Sequence, residues 1–73
     1  MKFNKITVDP KIMKWKPIIK WTRITVEFIL QELAKGHGVD YLLENYPRLT
    51  KLDIKQCLEF TSYYLHHDEL IYA

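Results

Sequence analysis

The side chains able to do chemistry are few, and they are scattered. Cys57 is the single cysteine, so no disulfide can form within the chain, and a lone thiol suits a reducing compartment. It falls on a helical apolar stripe, which points to a small buried hydrophobe rather than a nucleophile. His66 and His67 are adjacent, so on a helix their side chains diverge by about 100° and cannot grip one ion from one face. His37 lies between Gly36 and Gly38, where an exposed turn position is expected. The carboxylates are spread over predicted helix surfaces, and no glycine-rich phosphate loop is present. No metal set and no cofactor are implied, and the chain is expected not to be an enzyme.

What remains is charge and aromatic surface. Residues 1–24 carry seven basic side chains against Asp9 alone, a net +6, while residues 25–73 carry four basic against eight acidic, a net −4. Trp15 and Trp21 stand among Lys14, Lys16, Lys20 and Arg23. Such a segment fits an anionic or protein partner. It fits equally a solvated face, self-recognition between two copies, or tryptophans that cap a small core. Arg23 suits either phosphate binding or an ion pair with a helix carboxylate such as Glu27.

The elements that would hold these residues follow from the apolar spacing. Lys5-Ile6-Thr7-Val8 alternates as a half-buried strand does, Asp9-Pro10 marks a turn, and Pro17-Ile18-Ile19-Lys20 is a second short apolar run. The two runs are expected to pair, within the chain or between two chains, and to lie on something larger. From Thr25, a candidate N-cap, Val26, Ile29, Leu30 and Leu33 take helical spacing until Gly36 stops the helix. Val39, Leu42, Leu43 and Tyr46 repeat it in a shorter helix that ends before Pro47. Thr50 and Asp53 open a third helix as a capping box with the shorter acid. That helix carries Ile54, Cys57, Leu58, Thr61 and Leu65 on one face, and Phe60, Tyr63, Tyr64 and His67, with Ile71 a turn later, on a second.

The expected fold is therefore mainly α, a compact three-helix bundle able to form a helix-turn-helix, behind a short N-terminal β segment. Residues 1–73 form a single domain: a basic extended part (1–24), a helical core (25–67) and a tail (68–73) that frays or docks on a partner. A chain this short buries only roughly 60–65% of its unfolded surface, so a partner chain is the expected aid to stability. Two apolar stripes on one helix exceed what one small core needs, which favours a homodimer unless the N-terminal strands cover the surplus. Absence of a long apolar run argues against a secretory signal or a membrane span and for a cytoplasmic location.

Helices two and three, around the turn Tyr46-Pro47-Arg48-Leu49, have the order of a helix-turn-helix, which would turn Arg48, Thr50, Lys51 and Lys55 toward duplex DNA. Asp53 and Glu59 would oppose phosphate there. The surfaces expected to meet a protein partner are Trp15, Trp21 and Arg23, and Phe60, Tyr63 and Tyr64.

Residues Ile6–Pro10, Lys16–Lys20 and Thr22–Val26, then Gly36, Leu42–Pro47, Leu49-Thr50 and Asp53-Ile54, resemble the domain of unknown function 433 family over about residues 5–65. That resemblance implies a homeodomain-like fold with an extended N-terminal segment. It also implies an antitoxin of a type II toxin–antitoxin pair, holding a PIN-like nuclease toxin inactive and binding operator DNA as a dimer. The alternative is a protein-interaction module, or an orphan dimer, with no DNA role. Where the family has glycine before the Lys-Pro pair and before Thr-Arg-Ile, this chain has Trp15 and Trp21. Tryptophan does not take positive φ cheaply, so the local turns are expected to differ.

Overall fold

The computed structural model describes residues 3–68, the side chains of Met13, His67 and Asp68 excepted. Two antiparallel strands, β1 (Ile6–Asp9) and β2 (Ile12–Ile19), precede three helices, α1 (Val26–Ala34), α2 (Val39–Asn45) and α3 (Lys51–Asp68). The molecule is a small, mainly helical domain in which the strands pair within one chain. Of the tail, residues 69–73, including Ile71, lie outside the described part.

Asp9 closes the first hairpin, its carboxylate accepting the Lys11 amide at 2.8 Å across Pro10. This turn is tight enough to bring Ile12 opposite Asp9, so β2 starts five residues before the apolar run at Pro17. The next rung is Val8 opposite Pro17. Residues 13–16 are thus looped out of the ladder, with Lys14 at φ 51° and Trp15 at φ 73°. Alternation is lost across that excursion, which is why it does not read as strand in the sequence.

After β2 the chain folds back on itself. The Thr22 amide bonds the Ile19 carbonyl at 3.1 Å, and the Thr22 hydroxyl bonds the same oxygen at 2.7 Å. Trp21 occupies the third position of this turn with φ 67°, where glycine is the usual residue. Both indole-bearing residues hold positive φ despite the steric cost of a Cβ there. The Ile19 amide then reaches the Ile24 carbonyl at 2.8 Å, and Ile18 bridges Thr25.

Four helix ends have a local cause, while α2 starts after Gly38 with no side-chain cap. The Thr25 hydroxyl accepts the Phe28 amide at 2.9 Å. Gly36, at φ 95°, ends α1 while the amides of Gly36 and His37 return to the Leu33 and Glu32 carbonyls, the pattern of a Schellman cap. The Leu49 amide bonds the Tyr46 carbonyl at 2.9 Å around Pro47. Thr50 and Asp53 cap α3 reciprocally, at 2.9 and 3.2 Å.

One face of the hairpin, through Ile6 and Ile19, packs with Val26, Ile29, Leu42, Leu49, Ile54, Cys57 and Phe60. Leu30, Leu33, Leu43 and Tyr46 flank this core only half-buried. Val39, Leu58 and Leu65, read from spacing as inward positions, are exposed. The buried line of α3 runs instead through Asp53, Ile54, Cys57 and Phe60. Phe3 moves that line, meeting Phe60 edge-on at 5.5 Å and Tyr63 at 5.7 Å. A residue ahead of β1 therefore covers part of the second stripe. At the same seam Gln56 accepts the Lys5 amide and donates to Asn4, each at 2.9 Å.

Candidate interaction groove

The opposite face of the hairpin floors an open groove of about 770 Å³. Ile12 and Ile18 form its floor, the turn Lys20–Ile24 one wall, and Asn45–Arg48 the other. Ile18 is fully buried yet stands outside the main core cluster.

Three cations stand on the groove: Lys20, Arg23 and Arg48. The one carboxylate among the lining residues is Asp9, already engaged with the Lys11 amide. Arg48 spans 27 residues to donate to the Trp21 carbonyl at 2.8 Å. That bond pins the turn, and Trp21 is left 84% exposed. Lys20, Trp21 and Arg48 also line a second depression with Lys5 and Thr50, so the indole stands between two basic hollows.

The predicted site residues are only partly brought together. Trp21, Arg23 and Arg48, expected on separate partner and DNA surfaces, share one groove. Trp15 stands on the looped-out segment, 65% exposed. Neither indole caps the core. Arg23 does not pair with Glu27; Lys16 takes that carboxylate at 2.7 Å. Thr50 is engaged in the α3 cap, while Lys51 and Lys55 are exposed one helical turn apart. Phe60, expected at a partner surface, is buried in the core because Phe3 and the hairpin cover it. Tyr63 and Tyr64 remain exposed beside it.

One cluster escaped the sequence reading. Glu32 is 5% exposed, and its two oxygens meet Lys35 Nζ and His37 Nδ1, each at 2.9 Å. His37, expected as an exposed turn residue, is half-buried and also stacks on Tyr41 with ring centroids 4.0 Å apart. The Glu32–Lys35 spacing of three was a signal; the turn that brings His37 back was not. The cluster ties the α1 exit to α2, and every buried side-chain nitrogen and oxygen among the described residues has a partner. Lys35, and then His37, hold the Glu32 carboxyl below its usual value of 4.5. A lowered folded-state value means the contribution to stability is present above 4.5 and is lost as pH falls through that lowered value. Lys35, raised by the same contact from 10.5, contributes below 10.5 and loses its share as pH rises through its raised value. Thermal melts across pH should therefore show an acid limb that is reduced in Glu32→Gln; identical limbs would show that the cluster does not contribute.

Cys57 is fully buried, and desolvation pushes its thiol up to about 11. Its Sγ lies 3.8 Å from the Val26 carbonyl. A thiol reagent at neutral pH should label it no faster than the domain opens, and rapid labelling of folded protein would contradict this burial. Among the described residues, no group of three or more His, Cys, Asp or Glu is placed to hold a metal ion. No described helix is long and apolar enough to cross a membrane.

Comparison with known proteins places this architecture. The model of a family described as a protein of unknown function, DUF433, matches residues 6–61. The chain belongs to the DUF433 family. A crystal structure described as a DUF433 member protein from Anabaena variabilis ATCC 29413 is 26% identical, with a TM-score of 0.82 over 88% of this chain. This chain spans 63% of the length of that one. No curated protein matches it. Within the DUF433 fold, the groove combines the turn after β2 with the turn before α3, two segments 20 or more residues apart in sequence.

Proposed function

We propose that this DUF433 protein is a non-enzymatic, antitoxin-like regulator that engages a PIN-like nuclease toxin through the groove beside Trp21. The observation that carries the reading is Trp21 itself: a large aromatic held at positive φ and left almost fully exposed. Such a conformation costs of order 1–3 kcal/mol, and burial within the chain does not offset it. An intermolecular contact would, because exposed tryptophan beside arginine is the typical composition of a binding hot spot.

Tagged protein recovered from its native cell should bring down a small nuclease at equal stoichiometry, and adding the chain back should suppress that nuclease. Trp21→Gly should lose both effects. Recovery of the bait alone under gentle salt would remove the antitoxin reading.

A second reading, operator binding, is favoured by Lys51 and Lys55, exposed together at the start of α3. Arg48 and Thr50 already have structural partners, so the lysines would carry it. Duplex affinity should then fall steeply with salt and lose slope in Lys51→Ala/Lys55→Ala. Salt-independent or absent binding would leave the protein-binding role alone.

A further inference from the structure

We propose that in the free protein the groove beside Trp21 is filled by residues 68–72 of a second copy, in a reciprocal, tail-exchanged dimer. This goes beyond toxin binding, and either idea can fail without the other.

Charge complementarity selects this occupant. The groove offers apolar surface from Ile12, Ile24, Tyr46, Pro47 and the exposed Trp21, beside Lys20, Arg23 and Arg48. The Lys20 and Arg23 side chains are exposed, and neither forms an ion pair among the described residues. The matching ligand has carboxylates next to apolar side chains. The run Asp68-Glu69-Leu70-Ile71-Tyr72 has that composition, two acids followed by two aliphatics and an aromatic. No other stretch of the chain sets two consecutive acids before an apolar run.

Geometry makes the exchange intermolecular. Arg48, on the groove wall, lies just before α3, whose 18 residues carry the chain about 27 Å away. Residues 69–73 span at most about 18 Å even when fully extended. The segment therefore does not reach back to the Arg48 wall of its own groove, whereas two copies related by a two-fold axis can each receive the other's. Such a dimer also leads the basic half of one chain to the acidic half of the other.

Sedimentation at low ionic strength tests this. The full chain is expected at twice its 8.8 kDa mass, dissociating as salt screens the opposed charges. Removal of residues 69–73 should give the chain mass itself. Lys20→Glu/Arg23→Glu should do the same, as should Asp68→Lys/Glu69→Lys, and all four changes together should restore the dimer. Thermal melts check that every variant is folded. A synthetic peptide of residues 66–73 should quench or shift tryptophan fluorescence in the truncated chain, and much less in the truncated chain carrying Trp21→Gly. A monomeric full chain, a dimer that survives truncation, or a four-fold variant that stays monomeric would each overturn the proposal. The nuclease-capture result does not enter this comparison, so failure of one reading is separable from failure of the other.

Discussion

Replacing Ile29 by alanine is expected to lower the unfolding free energy by about 2–5 kcal/mol, the range for a buried aliphatic whose cavity refills only partly. Ile29 is 0% exposed and stands in the cluster joining β1 and β2 to all three helices. At about 0.05–0.15 kcal/mol per residue, a domain this small has only about 4–11 kcal/mol to lose. The variant should unfold at much lower denaturant, and at the upper end of the range it should not fold at all. Ile29→Val, which removes one methylene, should cost only about 0.5–1.5 kcal/mol. Equilibrium denaturation of both variants checks this, and a loss below about 1 kcal/mol for alanine would mean the core is not centred there. The same substitution at Leu58, equally apolar but exposed, should be almost silent in the isolated chain.

Trp21→Gly is expected to move stability and binding in opposite directions. Glycine takes positive φ without the steric cost of a Cβ, which relieves about 1–2 kcal/mol. Its greater freedom in the unfolded chain takes back roughly 0.5–1 kcal/mol. The indole is almost wholly exposed, so little packing is lost, and the net gain of about 0.5–1 kcal/mol should raise Tm by roughly 3–6 °C. Binding of whichever chain occupies the groove should weaken by about 2 kcal/mol or more, roughly 30-fold. Paired melting and titration measurements check both halves. A variant that melts lower would show that the indole packs usefully within the fold, and unchanged affinity would remove Trp21 from the interface. Trp21→Ala offers a control, since alanine keeps the Cβ and with it most of the strain.

The contrast between these two positions shows what local pattern reveals. Val26 and Ile29 are legible because a helix repeats its inward face every three to four residues, and Thr25, Gly36, Thr50 and Asp53 mark its ends through bonds to near neighbours. On α3, Ile54 and Cys57 face inward as their spacing implies, but Leu58 and Leu65 face out and Phe60 in, because periodicity shows that a face is apolar and not what will cover it. Phe3, 57 positions before Phe60, makes that choice. β2 was truncated for a related reason: the four residues outside the ladder break the alternation by which strands are read.

The groove lies wholly on the tertiary side of this divide. Trp21, Arg23 and Arg48 were each conspicuous by type, yet nothing in their order foretold that Arg48 would bond the Trp21 carbonyl. The Glu32–His37–Tyr41 assembly depends likewise on the path of one turn. Short-range spacing was enough for the element order and for most helix ends, because those rest on interactions within about four residues, while the family was legible from its motifs, Thr22-Arg23-Ile24 and Tyr46–Thr50 above all. Which apolar face is inside, which charges are already paired and where a partner can dock depend on contacts between segments far apart in the chain. Those contacts exist only once the hairpin has packed on the helices.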